Sequence, residues 1–392
     1  MIGARAVVSL GLAALAVIAI GWLALRLVPN EAWRPALKPV AWQSVHGWRE
    51  DDQRPALAAF AASCDALRPG RLTPGAGATD WTEVCGIARA LVASGVDRAR
   101  VRRFFETRFQ AYRVRVGWRG RGLVTGYFEP RLRGSRVRRP RFAVPIYRRP
   151  DDLVRVDLGA FRAELAGVRI AGRVENGVLR PYPGRADIDA GALAGRGLEL
   201  AWLADPVDAF FLQIQGSGLI ELVGGGTLRV GYAGHNGHPY KAIGRVLVRD
   251  GALSSDEVSM QTIAAWLRRH RDRAAAVMAE NPSYIFFREV PGAGPVGTLG
   301  VALTPARSLA VDGRWWPLGA PVWLDTRVPK GARKTRAFRH LMVAQDTGGA
   351  IAGPLRGDIF FGTGAAAGAS AGRMNSRARF YLLWPRRNAG GQ

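Results

Sequence analysis

The stretch from Arg339 to Gly364, RHLMVAQDTGGAIAGPLRGDIFFGTG, constrains this chain more than any other. It holds two aspartates, Asp346 and Asp358, each beside glycines and each flanked by a short apolar run. Met342 to Ala344 and Ile359 to Phe361 read as buried strands, too short and too β-rich for helices. Between them Gly348, Gly349, Gly353 and Gly357 permit tight backbone paths that other residues resist. A carboxylate at the lip of a buried strand sits partly out of water. Desolvation favours its neutral form, so its pKa is expected to rise and leave it able to donate a proton near neutral pH.

The length of 392 residues accommodates two or three domains, each with its own core. The formal charge is +25 and comes almost wholly from arginine, the lysines being Lys38, Lys241, Lys330 and Lys334. Such a balance points to anionic surroundings: nucleic acid, phospholipid head groups or a cell-wall polymer. No nucleic-acid-binding motif with interleaved aromatics is present, so nucleic acid is not an expected partner. Ala6 to Leu25 is an uncharged run of twenty residues, long enough to cross a bilayer and longer than the core of a cleaved signal. We read it as an inner-membrane anchor with the bulk of the chain in the periplasm; a cleaved secretory signal is the alternative. The run contains no cysteine and so no lipid-attachment site. Arg5 and Arg26 give little charge asymmetry, which specifies orientation weakly. Cys64 and Cys85 are either a disulfide or two buried thiols, and two cysteines do not make a zinc site.

Along the chain, residues 1–26 form the anchor or signal and 27–53 read as a Pro- and Trp-containing linker. Residues 54–130 hold a helical scaffold and the first part of the main domain. Leu57, Phe60, Ala61, Cys64 and Leu67 form one stripe stopped by Pro69-Gly70, and a second helix runs from Thr82 to Ser94 with Asp80 as its cap. A third runs from Val96 to Tyr112 with Phe104, Phe105 and Phe109 inward. Residues 131–235 read as an inserted β domain in which Ala209 to Leu222 is strand-like. Residues 236–290 return through helices, one opened by a capping box at Ser254 and Glu257 and another ending before Asn281-Pro282. Residues 291–385 are β-rich, and 386–392 form a disordered tail.

Several chemistries are excluded on the residues. His235 and His238 are closely spaced but lack a third ligand, so no metal is expected, and no cofactor motif stands out. Gly216-Ser217-Gly218 lacks the spacing of a nucleophile elbow. Asp346-Thr347-Gly348 has the form of an aspartic-protease loop, yet those enzymes need two such loops and this chain has one. Ordinary glycosidases need two carboxylates. A lytic transglycosylase needs fewer protein groups, since the sugar's own 6-hydroxyl closes the ring and one carboxyl serves as acid and then as base.

Several blocks carry a resemblance: VTGYFEP (Val124 to Pro130), FFLQIQGSG (Phe210 to Gly218), GYAGHNGHPYKAIG (Gly231 to Gly244), NPSYIFFRE (Asn281 to Glu289), VALTPARSLAVD (Val301 to Asp312), PLGAPVWLDT (Pro317 to Thr326) and VAQDTGGAIAGPLRGDIFFG (Val343 to Gly362). In these the chain resembles the membrane-bound lytic murein transglycosylase A family with its C-terminal three-aspartate domain. The resemblance implies a mainly β fold with N-terminal and central helices, in which a double-psi β-barrel domain and a smaller inserted β domain flank a groove for a glycan strand. It implies Asp358 as the catalytic acid, Asp346 as a neighbour that shapes the site and Asp312 as a structural third, with Asp325 a weaker claimant. Thr125 and Gln215 match positions expected to line the groove, followed by Gln213, Ser217, Tyr127 and Lys241. Read as a strand, the Gln213 and Gln215 segment puts both on one face, toward groove or solvent. Asp346 has a purely structural alternative, bonding the backbone of its own loop. The implied activity is cleavage of the MurNAc–GlcNAc β-1,4 bond of peptidoglycan with formation of 1,6-anhydro-MurNAc. A water-using muramidase and a non-catalytic wall-binding module are the alternatives. Expected partners are peptidoglycan strands, the membrane, and a cell-wall synthesis or division complex.

Overall fold

The structure, a computed structural model, describes residues 35–74, 81–165, 168–292, 294–331 and 334–386. The apolar segment 6–25, Asp80 and tail residues 387–392 lie outside these. The chain enters through β1 (Pro35–Val40), then three helices, α1 (Arg54–Ser63), α2 (Thr82–Ala93) and α3 (Arg98–Arg108), and then β2 (Phe109–Val116) and β3 (Gly122–Glu129). An insert follows with β4 (Arg131–Ser135), β5 (Val144–Tyr147), β6 (Val154–Asp157), β7 (Arg169–Glu175), β8 (Val178–Pro181), α4 (Arg185–Asp189), β9 (Glu199–Leu203), α5 (Pro206–Gln215), β10 (Ser217–Leu222), β11 (Thr227–His235), α6 (Ile243–Arg249), α7 (Met260–Arg269), α8 (Arg271–Ala279) and β12 (Ile285–Glu289). The chain returns as β13 (Ser308–Val311), β14 (Pro321–Lys330), β15 (Lys334–Asp346), β16 (Arg356–Thr363), α9 (Ala365–Ala371) and β17 (Asn375–Pro385).

Six strands close into a barrel. β17 pairs with β14, β14 with β15, β15 with β13, β13 with β16, β16 with β3, and β3 returns to β17. Val124, Leu309, Val322, Leu324, Met342, Ala344, Ile359, Phe380 and Leu382 fill one shared core. The alternate residues Trp323, Leu341, Val343, Tyr381 and Leu383 pack outward against Trp48, Phe60, Phe105 and Phe109 under the helices. Strands buried on both faces carry near-continuous apolar runs, which is why this part of the sequence reads as β so plainly.

Residues 27–53 are not a linker where the structure describes them. Pro35–Val40 pairs in register with β2 and Trp48 is buried in the outer core. Pro and Trp disguise a short strand that takes its partner from elsewhere in the chain. The third helix stops at Arg108, and Phe109 begins a strand although it is buried as expected. Part of the Ala209 to Leu222 run is helical. Asp205 caps α5, Pro206 takes its first turn, and Gly216 ends it in a left-handed conformation at φ 77°. Ser254 does bond Glu257, but α7 opens five residues later at a reciprocal Ser259–Thr262 cap. The insert's six-stranded sheet, ordered β12-β11-β10-β4-β9-β5, includes Ile285–Glu289 and so outruns the boundary at residue 235. Cys64 and Cys85 are joined as a disulfide that ties the end of α1 to α2.

One buried charge cluster locks the helical layer to the barrel. Asp51 receives two bonds of 2.8 Å from Arg307, one of 2.7 Å from His340 and one of 2.9 Å from the backbone of Leu341. Burial pushes the Asp51 carboxyl up, but the His340 and Arg307 bonds outweigh it and bring it down to about 2. Asp51→Ala is expected to destabilise the protein by about 3–5 kcal/mol in urea unfolding, because it leaves Arg307 buried without its counter-charge. The contribution is present above pH 4, where the unfolded carboxyl is ionised, and is lost as pH falls toward 2. A loss under 1 kcal/mol would contradict this account.

Candidate active site

The pairing registers align one row of residues across five adjacent strands. Ala310 on β13 stands opposite Asp346 of β15 on one side and opposite Asp358 of β16 on the other. Asp358 in turn faces Thr125 of β3, and Thr125 faces Asn375 of β17. Two aspartates twelve residues apart in sequence are thus brought two strands apart on one barrel wall. Each keeps an edge open to solvent, while the neighbouring strand residues are buried.

The two carboxyls are held differently. Asp346 accepts four hydrogen bonds of 2.9 Å: from the Tyr127 hydroxyl on Oδ2, and on Oδ1 from the backbone and hydroxyl of Thr298 and the backbone of Thr347. Three of these donors converge on Oδ1, so both oxygens of Asp346 are engaged. Asp358 accepts one, from the Thr125 hydroxyl to Oδ1 at 2.8 Å. Thr125 is itself oriented by Arg356, whose Nη2 donates to its oxygen at 2.7 Å. The Thr125 hydroxyl proton therefore points at Asp358, and Oδ2 is the oxygen left to carry a proton outward.

Burial pushes the Asp358 carboxyl up to about 6, against the opposing Arg356 charge and Thr125 bond and with help from the negative charge of Asp346. Asp346 is also raised by burial, in opposition to its bonds from Thr298, Thr347 and Tyr127. The same burial raises the Tyr127 phenol well above its usual range, so it stays a donor. Burial lowers Arg356, and Asp358 holds it back up. A carboxyl at about 6 is protonated in roughly a tenth of molecules at pH 7, enough for a general acid.

The other sequence candidates fall elsewhere. Gln215 ends α5 and accepts the backbone N–H of Phe128 at 3.0 Å, joining insert to barrel three residues along β3 from Thr125. Gln213 is no strand-face neighbour of Gln215: both lie on a helix. Gln213 is buried in the insert, where it accepts from Arg185 at 2.7 Å, which leaves it no access to a groove. Ser217 is buried at the start of β10, and Lys241 pairs with Glu280 in the insert. Asp312 is buried and binds Arg314 and the backbone of Gly353, and Asp325 pairs with Arg339 and Arg379. Sequence reasoning missed Arg356 and Thr298. Arg356 had a signal, since it precedes Asp358 by two and so shares its strand face. Thr298 arrives from a distant loop and had none. His235 accepts from the backbone of Gly237 and His238 contacts the Tyr182 carbonyl; among the described residues no cluster of three metal-binding side chains is present.

Residues 123–288 match the MltA specific insert domain and residues 307–384 match the 3D domain. Membrane-bound lytic murein transglycosylase A of Escherichia coli K12 is 32% identical over 268 residues, a match that takes in 67% of this chain and 66% of that protein, just under two thirds of its length. The crystal structure of a membrane-bound lytic murein transglycosylase from Agrobacterium tumefaciens is 34% identical with a TM-score of 0.78, covering 90% of this chain and 98% of that one. E. coli MltA with bound chitohexaose is 26% identical with a TM-score of 0.64, covering 89% of this chain and 91% of that one.

A raised carboxyl pKa is a cost to the fold once the group ionises. The folded state of Asp358 holds its proton more tightly than the unfolded chain does, so stability falls as pH rises from 3.8 through about 6. Asp358→Asn is therefore expected to stabilise the protein at pH 7.5 by on the order of 2 kcal/mol, and to have little effect at pH 3.5. Urea unfolding at both pH values checks this; equal effects at the two would refute the desolvated carboxyl.

Proposed function

Because the chain belongs to the membrane-bound lytic murein transglycosylase A family, we propose that it cleaves the MurNAc–GlcNAc β-1,4 bond of peptidoglycan without water, leaving a 1,6-anhydro-MurNAc end. One observation carries the assignment of the acid: Asp358 has an oxygen with no hydrogen-bond donor and a carboxyl pushed up to about 6, whereas both oxygens of Asp346 already accept hydrogen bonds, four in all. The six-stranded ring with two parallel pairings, β3–β16 and β13–β15, supports a barrel of the double-psi type. The insert departs from β3 directly after Glu129, which supports a glycan groove between insert and barrel along that strand.

The reaction runs in two steps on one carboxyl. Protonated Asp358 gives its Oδ2 proton to the glycosidic oxygen as the bond to the MurNAc anomeric carbon breaks and that carbon gains oxocarbenium character. The carboxylate so formed then takes the proton of the sugar's 6-hydroxyl as that oxygen closes onto the same carbon. Proton count is conserved, and Asp358 ends in its starting form. Thr125 and Arg356 hold Oδ1 as an acceptor in both steps. The negative charge of Asp346 favours the protonated acid beforehand and the positive sugar during cleavage. Asp312 braces the loop leading into β16. Segment 6–25 holds the enzyme at the periplasmic face of the inner membrane, beside a cell-wall synthesis or division complex.

Purified sacculi digested with the enzyme are expected to release fragments one water lighter than hydrolysis products. Asp358→Asn should lose this release by about 10²–10⁴-fold. In the wild type, kcat/KM should fall as pH rises through about 6. Arg356→Met removes a charge that lowers the Asp358 pKa, so the alkaline fall should move to higher pH even as the rate drops. Reducing MurNAc ends, or full activity in Asp358→Asn, would refute the proposal.

A further inference from the structure

We propose that Arg377, in one row with Leu123 and Arg356, binds the carboxylate on the lactyl arm of the MurNAc unit at the cleaved bond. The inference rests on the proposed cleavage of peptidoglycan and adds the substrate feature that the site selects. β3 lies between β16 and β17, with Asp358 and Asn375 on either side of Thr125, and Arg356 and Arg377 on either side of Leu123. Val124, Ile359 and Ala378 fill the barrel core. The residues that alternate with them therefore point outward, on the same face as the acid. Two parallel rows result: Asp358, Thr125 and Asn375, then Arg356, Leu123 and Arg377 about 7 Å further along the strands. In the second row Arg377 is exposed and Leu123 is 37% exposed.

The second row is apolar at its centre and cationic at both ends. Arg356 is half-buried and spends its Nη2 on Thr125. Arg377 has no carboxylate partner among the described residues, and Asp325, opposite Arg379 on β14, is taken by Arg339 and Arg379. MurNAc differs from GlcNAc by a lactyl ether on O3, which carries a methyl and a carboxyl group. That arm leaves the ring two carbons from the anomeric carbon. With the glycosidic oxygen at Asp358, it falls about one ring's width away, which is the offset between the two rows. Leu123 then meets the methyl, and the Arg377 guanidinium offers the carboxylate two parallel N–H donors. A carboxylate on the stem peptide carries the same charge from further out, so the test separates the two sources.

The test measures release of 1,6-anhydro products from three sets of soluble glycan strands. These are peptide-free strands with free lactyl carboxylates, the same strands converted to lactyl methylamides, and uncross-linked strands with intact stems. The wild type should show a KM about tenfold lower on free-lactyl strands than on methylamides, an advantage that shrinks in high salt. Arg377→Gln should erase that advantage by raising KM on the free-lactyl strands, with kcat and the methylamide rate unchanged. Arg377→Lys should restore part of it. An equal or larger KM rise on stem-bearing strands, with the methylamides unaffected, would overturn the lactyl assignment in favour of a stem carboxylate. Equal loss on all three sets, or no change on any, would overturn the subsite. In each of these cases the wild type still releases anhydro products; their absence from every set would instead overturn the proposed reaction.

Discussion

The catalytic reading depends on removing one carboxyl from water while leaving one of its oxygens reachable. Closing the barrel achieves this at Asp358. β3 pairs with β16 on one side and β17 on the other, so the strand that closes the ring also supplies the hydroxyl that holds Asp358. That closure needs backbone approaches that only glycine permits. A Cβ on Gly122 would lie 1.9 Å from the Leu355 carbonyl oxygen, and one on Gly126 would lie 2.5 Å from the Phe361 ring. Beyond Glu129, whose buried carboxylate binds Arg229 and Thr363, the same strand launches the insert. Barrel closure, the poised acid and the position of the insert are consequences of one strand's path.

The structure distributes its buried charges by function. Asp51 is paired with Arg307, hydrogen-bonded to His340, and serves as a joint between the helical layer and the barrel. Asp346 is held by four donors, which oppose the upward push of burial on its carboxyl. Asp358 has the fewest donors of the three, and its high proton affinity follows from burial that its one hydrogen bond and the Arg356 charge do not offset. A site of this kind lowers the stability of the fold at neutral pH, which is the usual exchange between poised chemistry and packing.

Much of this was legible in the sequence, for reasons that differ by element. The apolar runs around Asp346 and Asp358 are readable because those strands are buried on both faces, and the expectation of a raised carboxyl pKa followed from that burial. Helix α1 had a clear apolar stripe, read from Leu57 to a stop at Pro69-Gly70, and it covers Arg54–Ser63. The segment containing Gln213 was harder, since its Phe, Ile and Leu content suits a strand, and the Asp205-Pro206 start and Gly216 stop outweigh composition. Pro35–Val40 was hidden because a short edge strand is defined by its partner rather than by its own pattern. The pairing of Asp346 with Thr298 depends on a loop nearly fifty residues away, and no local signal encodes it.

The central claim is that the substrate's own hydroxyl, and not water, takes the place of the leaving sugar. Cleavage of purified sacculi in water enriched in oxygen-18 tests it most directly. The account predicts soluble fragments whose new MurNAc ends carry no heavy oxygen. Heavy oxygen at those ends from the moment of cleavage would contradict it and would require a second protein group to activate water.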